Sequence, residues 1–475
     1  MISLFHVLSN FPMKVLRLCT AAILILSLSA TVAQAVDITA TGSGNWSSTN
    51  VDAPWPNGIV PSTNDSVDIE APFTVTVDGT NYAEFVYGSG TLIMAPSSTL
   101  VLNDPAGANG SFQLATFDTS AASNTVIYAG NPFWAKHQDY YNLVFSNTVT
   151  TNMIDFYNGF VNSQDPNAAM TIAGDMTVIG KIKVQQGDDF TIHGNLLLGT
   201  NGQWDCSSFH LSVDGNTTIG GLMIDLDGAL GSNYLGGNVS VTAGSIGWNI
   251  TDVTHWGIGG SLTNDGLIVG KGYGSIAFDG SGIITGKAFK IPTFTINGTY
   301  EIGTTVTLST NTPTLNGTLV FDLANTNQLV LQSYPTNPMT LYYSGNLNVI
   351  NTGPTPISGH SYKFFNATNY DGAFDSTSFP PLPNGMSWVD NLVTSGSILA
   401  TGGSVGSPTL SFSRSGGLLT LSWDSATFPG YRVVAQTNSG GLGTNWSTTG
   451  SGTVSPFTIP INPASHSVFF RLVNP

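Results

Sequence analysis

One nine-residue pattern recurs between Met170 and Phe321 and restricts what the chain can become: apolar, any, apolar, any, Gly, small polar, apolar, any, apolar. It reads MTIAGDMTV from Met170, FTIHGNLLL from Phe190, LSVDGNTTI from Leu211 and NYLGGNVSV from Asn233. Looser copies follow as WGIGGSLTN from Trp256, IAFDGSGII from Ile276, FTINGTYEI from Phe294 and PTLNGTLVF from Pro313. The glycines are Gly174, Gly194, Gly215, Gly237, Gly260, Gly280, Gly298 and Gly317, spaced near twenty residues. A fixed period of this size marks a solenoid. Apolar residues alternate within each copy, so the local element is a strand. Each copy is too short for a strand–helix–strand crossover. The economical solution is all-β: a right-handed parallel β-helix with one turn per repeat and equivalent residues about 4.8 Å apart.

Stacking sorts the positions into columns. Two residues before the glycines stand Ile172, Ile192, Val213, Leu235, Ile258, Phe278, Ile296 and Leu315, an apolar set that suits the interior. One residue after them stand Asp175, Asn195, Asn216, Asn238, Ser261, Ser281, Thr299 and Thr318. This set predicts a polar corner ladder in which amides and hydroxyls hydrogen-bond up and down the stack. Glycine suits such a corner through positive φ and close backbone approach. His193 and Asp214, each one residue before its glycine, are expected to be stacked neighbours.

The remaining chain divides around this stack. Residues 1–35 read as a signal peptide with its true start at Met13. Lys14 and Arg17 form the positive region, Ala21–Ser29 the apolar core and Ala33-Gln34-Ala35 the cleavage site. Without Lys14 and Arg17, ten Lys and Arg face 28 Asp and Glu, a net charge of −18. Nucleic acid is thereby disfavoured as a partner, since phosphate contacts need clustered cations. Beyond the leader only Cys206 remains, which excludes an intrachain disulfide. The β-helix is expected over 36–400, with an N-terminal cap near 36–80 and closing coils near 340–400. Residues 401–407 (TGGSVGS) are a linker. Residues 408–475 are a small β-sandwich, with strands at Thr409–Arg414, Leu418–Trp423, Tyr431–Gln436, Phe457–Ile461 and Ser467–Leu472.

Three resemblances add to this reading. Trp46, the Trp55-Pro56-Asn57-Gly58 turn, Val60-Pro61, Asn64-Asp65 and the strand Phe73–Asp78 resemble the opening of G8-type domains and of bacterial surface β-helix proteins. Leu347–Val349, Gly359, Tyr362–Phe365, Gly372-Ala373-Phe374, Leu382-Pro383, Trp388, Leu392 and Gly396-Ser397-Ile398 resemble the closing segment of autotransporter-associated β-strand repeat proteins. Residues 408–475, with Trp423 on the second strand and Tyr431 opening the third, are similar to a fibronectin type III domain, or to a C-terminal sorting domain. These resemblances imply an exported or surface-displayed protein that meets secretion machinery through its leader and C-terminal unit.

The richest side-chain chemistry lies in FWAKHQDYYNLVFS, Phe133–Ser146. Aromatics beside carboxylates and amides suit sugar recognition, so Trp134, His137, Asp139, Tyr140 and Tyr141 are the candidate glycan contacts; the alternative is a structural cover in which Trp134 and Tyr140 pack onto the coil. Asp188-Asp189 and Asp225–Asp227 lack the spacing of a calcium loop, and no metal or cofactor is expected. Ser–His–Asp sets, phosphate loops and CxxC pairs are absent from the sequence. The expected role is structural or adhesive with glycan contact. The alternative is a polysaccharide lyase or glycoside hydrolase on the same scaffold. Glycoside hydrolysis needs paired carboxylates, and a lyase needs a strong base.

Overall fold

The computed structural model describes residues 36–104, 112–130, 135–155, 169–185, 189–206, 209–224, 232–251, 254–333, 339–383, 385–402, 407–437, 441–448, 454–465 and 467–473. The chain forms two compact units. One holds the residues up to Thr355 with His360–Pro381 and Trp388–Leu399; the other holds Pro356–Gly359, Leu382–Ser387 and the residues from Ala400.

The first unit is a parallel β-solenoid with three strands per turn. Its first face is an eight-stranded sheet of Met170–Ile172, Phe190–Ile192, Leu211–Val213, Ser232–Leu235, His255–Ile258, Ser275–Phe278, Thr293–Ile296 and Thr312–Leu315. These are the strands expected before each glycine. They pair parallel, with Ile172, Ile192, Val213, Leu235, Ile258, Phe278, Ile296 and Leu315 in register throughout. Every member of that column is at most 1% exposed. Full burial of such a side chain stabilises by about 1.5–3 kcal/mol, which explains how strands of three or four residues suffice.

The second face carries the strands that follow the glycines, from Met176–Val178 on through Leu196–Leu198, Thr217–Ile219, Val239–Val241 and Leu262–Asn264. The third face runs through Gln203–Asp205, Leu222–Ile224, Gly247–Ile250 and Ile268–Gly270. The stack begins before the eight repeats. Asp37–Thr39 already pairs parallel with Ser66–Asp68, and Gly44–Asn45 with Thr74–Val77. Residues near 36–80, expected as a cap, hold strands of a six-stranded parallel sheet at this end. Trp46 and Trp55 fill this end, both fully buried at 5.1 Å edge to face, and the Trp55 indole donates to the Trp46 carbonyl at 2.6 Å.

The corners show why glycine recurs, and correct half of the expected reason. None of the eight corner glycines has a positive φ. A Cβ on Gly215 would lie 2.3 Å from the Gly194 carbonyl oxygen, and one on Gly298 would lie 1.8 Å from that of Gly280. Close approach between turns, not backbone hand, excludes a side chain. Beside the glycines the polar ladder forms as expected: Asp175 Oδ1 accepts the Asn195 N–H at 2.7 Å, Asn195 Oδ1 that of Asn216 at 2.9 Å, Asn216 Oδ1 that of Asn238 at 2.9 Å and Asn238 Oδ1 that of Ser261 at 2.8 Å. It stops at Ser261, whose Oγ accepts the Ile283 N–H instead. There the second face slips by two residues, pairing Leu262 with Ile284. An even slip keeps apolar residues inside. Gly282 falls opposite Tyr300. The fully buried Tyr300 ring lies against Phe278, and its hydroxyl donates to the Ile258 carbonyl two turns back.

The second unit contains two three-stranded antiparallel sheets, one of Ser411–Ser415, Leu418–Ser422 and Phe457–Pro460, the other of Ser447–Thr448, Arg432–Gln436 and Phe469–Val473. Leu421, Trp423 and Val433 form its buried core.

Candidate functional site

Within the Phe133–Tyr141 segment, residues 135–141 are not a loop added to the coil. They lead into the turn before the eight repeats, whose corner carries no glycine. The Ala173 N–H bonds to the Tyr140 carbonyl as the His193 N–H bonds to that of Ile172, so Tyr140 takes the place of an inward column residue. Gly174 N–H bonds to the Tyr141 carbonyl, and Asp175 N–H to Asn142 Oδ1 at 2.9 Å. Asn142 therefore starts the corner ladder, a residue the glycine pattern did not reveal.

Four of the five expected sugar contacts, His137, Asp139, Tyr140 and Tyr141, lie among the described residues, and they differ in exposure. Tyr140 is 2% exposed. Its ring packs edge-on against Phe117 and Tyr128, and its hydroxyl donates to the Lys136 carbonyl at 2.7 Å and meets the Tyr128 hydroxyl at 2.9 Å. Burial pushes the Tyr128 phenol up to about 12 and the Tyr140 phenol well above its ordinary range. Tyr140 has no open ring face for a sugar. Tyr141 is half-buried with its ring against Gly174, and His137 is half-buried. Asp139 is exposed, with one carboxylate oxygen accepting the Thr171 N–H at 2.8 Å. Trp134 lies outside the described residues. Lys136 donates to the Leu114 carbonyl at 2.5 Å over the Phe112 ring, and its burial lowers the ammonium pKa.

The first face carries a second polar column, one residue before the glycines. His193 Nδ1 and Asp214 Oδ2 lie 2.6 Å apart, each about half exposed, as the stacking argument expected. After Gly236 and Gly259 the column resumes: Asn297 donates to Asp279 Oδ1 at 2.7 Å, and Asn316 donates to Asn297 Oδ1 at 3.0 Å. Such an exposed His–carboxylate pair can hold and pass a proton. Asp189 uses its carboxylate on the His210 N–H at 2.8 Å. Asp188, Asp225 and Asp227 lie outside the described residues. Among the described residues no group of three or more His, Cys, Asp or Glu is placed to hold a metal ion, and no helix is long and apolar enough to cross a membrane.

Comparison of the chain with protein-family models, curated proteins and solved structures finds no match in any of the three.

Proposed function

We propose that this chain is an exported scaffold protein with a structural or adhesive role that touches extracellular glycans. One observation carries the reading. The polar side chains of the coil corners bond to the next turn, from Asn142 through Asp175, Asn195, Asn216 and Asn238 to Ser261. Surface chemistry arranged in this way ties each turn to the next and leaves the faces for contact. The leader at 1–35, the G8-like opening and the closing segment similar to autotransporter-associated repeats support export and display. The second unit, with Trp423 and Val433 at its core, is read as a fibronectin type III-like sandwich that serves attachment or sorting.

A carbohydrate-active enzyme is the second reading, and the His193–Asp214 pair favours it. The purified full chain, applied to a glycan array and to a panel of polysaccharides with reducing-sugar detection, separates the two. Retention without sugar release supports the scaffold. Release that His193→Ala abolishes would establish the enzyme.

A further inference from the structure

We infer that the first face carries a binding platform for a neutral pyranose ring, centred on Tyr234 and bounded by Asp214 and Asp279; this rests on the proposed glycan contact and places it. The outward column of the face, three residues before the glycines, reads Thr171, Thr191, Ser212, Tyr234, Gly257, Ala277, Thr295 and Thr314. A single large side chain thus stands in a row of small ones. Tyr234 is 42% exposed although it sits mid-sheet.

The ring lies along the sheet. A Cβ on Gly236 would be 3.4 Å from Tyr234 Cε1, and one on Gly257, its register partner in the next turn, would be 2.8 Å from Cδ2. Opposite ring edges therefore rest on glycines of adjacent turns. The hydroxyl reaches Gly259, whose Cβ would be 2.7 Å from it. The missing side chains of these glycines leave room for the ring, and the Tyr234 side chain stays exposed. Gly236 and Gly259 are also the two positions at which the polar column breaks, between Asp214 and Asp279. Asp279 leans toward the ring: a Cβ on Gly257 would lie 2.8 Å from both its Oδ2 and Tyr234 Cδ2.

This arrangement matches one ligand chemistry. A pyranose presents an apolar face of C–H bonds and a rim of hydroxyl donors. The exposed Tyr234 ring takes the first, with the apolar and polar contacts that make tyrosine effective at binding surfaces. The Asp214 and Asp279 carboxylates accept from the second, with charge-assisted strength. They also repel uronic acids and sulfated sugars, so the occupant is neutral. Asp214 is held by His193 and Asp279 by Asn297, which fixes both acceptors before a ligand arrives. Single-ring contacts of this size are weak, and avidity on a multivalent glycan raises them.

The test is retention of the full chain on immobilised neutral hexa-oligosaccharides (β-1,3-glucan, β-1,4-glucan and β-1,4-N-acetylglucosamine hexamers) beside a polygalacturonate control. Wild type is expected to bind at least one neutral hexamer and not the uronate. Tyr234→Phe should keep binding within about threefold, while Tyr234→Ala should lose about tenfold or more. Gly257→Ala retains both functional groups but lifts the ring and the Asp279 carboxylate, so it should weaken binding several-fold with an otherwise wild-type circular dichroism spectrum. Equal binding by Tyr234→Ala and wild type overturns the platform and leaves glycan contact standing elsewhere. Preference for polygalacturonate overturns the neutral assignment. Absence of all glycan binding by wild type removes the proposed glycan contact and the platform with it.

Discussion

The two units bury apolar side chains in different ways. In the solenoid the inward column from Ile172 to Leu315 is at most 1% exposed, although its strands are three or four residues long. In the second unit the strands are of similar length, yet Phe412 is 77% and Leu418 48% exposed, and among the described residues the buried cluster is built on Leu421, Trp423 and Val433. A stacked turn is covered by the turns above and below it, so each strand closes its neighbours' edges. A small two-sheet unit has free edges on both sheets and few residues between them. The solenoid therefore gains stability per residue from repetition, whereas the second unit depends on a few large side chains.

The sharpest way to break this contrast is Ile258→Asp. It places an unpaired carboxylate in the sealed column, a cost of several kcal/mol, and is expected to unfold neighbouring coils. Loss of the main thermal transition and new proteolytic cleavage near 235–300 would report it. Trp423→Ala should cost about 3 kcal/mol or more, confined to the second unit: the transition of the solenoid stays in place while the 407–473 segment becomes protease-sensitive. Gly215→Ala drives a methyl group into the Gly194 carbonyl, and overpacking of this kind costs about 1–3 kcal/mol. An equal substitution at Gly417, where nothing lies within 4 Å of the added carbon, avoids that collision. Asn216→Ser shortens one ladder rung and should cost about 1 kcal/mol or less. Equal effects from Ile258→Asp and Asn216→Ser would mean that the inward and outward phases are exchanged.

Acid should act on the two ends of the stack in opposite senses. Burial works to raise the Asp322 pKa, but the Thr352 hydroxyl, the Ala324 N–H and the Thr352 N–H outweigh it and hold the pKa below the usual carboxylate range. Its contribution is present above the unfolded pKa and lost as pH falls through the folded one. Asp68 is raised by burial, with Glu70 and Asp37 adding repulsion. The N-terminal coil is therefore favoured at acid pH and loses that advantage as pH rises through the folded pKa of Asp68. Titration of wild type against Asp322→Asn and Asp68→Asn, followed by amide protection of the two ends, checks both signs.

Much of the solenoid was legible because parity and period act together. Alternation sets which residues point inward, the glycine period sets which of them stack, and the His193–Asp214 contact follows from the same arithmetic. Three features were not legible. Tyr140 belongs to a turn whose corner is Tyr141-Asn142, so no glycine marked it, and an aromatic in an unmarked turn reads equally as cover or as display. Tyr300 reaches a carbonyl two turns away through space opposite Gly282, a three-dimensional relation with no sequence period. Tyr234 occupies a position that the repeat leaves open to any residue. Its meaning depends on Gly257, which is distant in sequence and adjacent only after stacking.

The contrast between the units is tested most directly by native-state hydrogen exchange on the full chain, resolved by peptide. Amides of the eight-stranded face, from Met170 to Leu315, are expected to exchange slowly and together, as one cooperative block, while those of 411–436 and 457–473 exchange earlier and independently. Slow exchange in the second unit combined with separate, rapid exchange of individual coils would contradict the account, because it would show that stacking does not couple the turns.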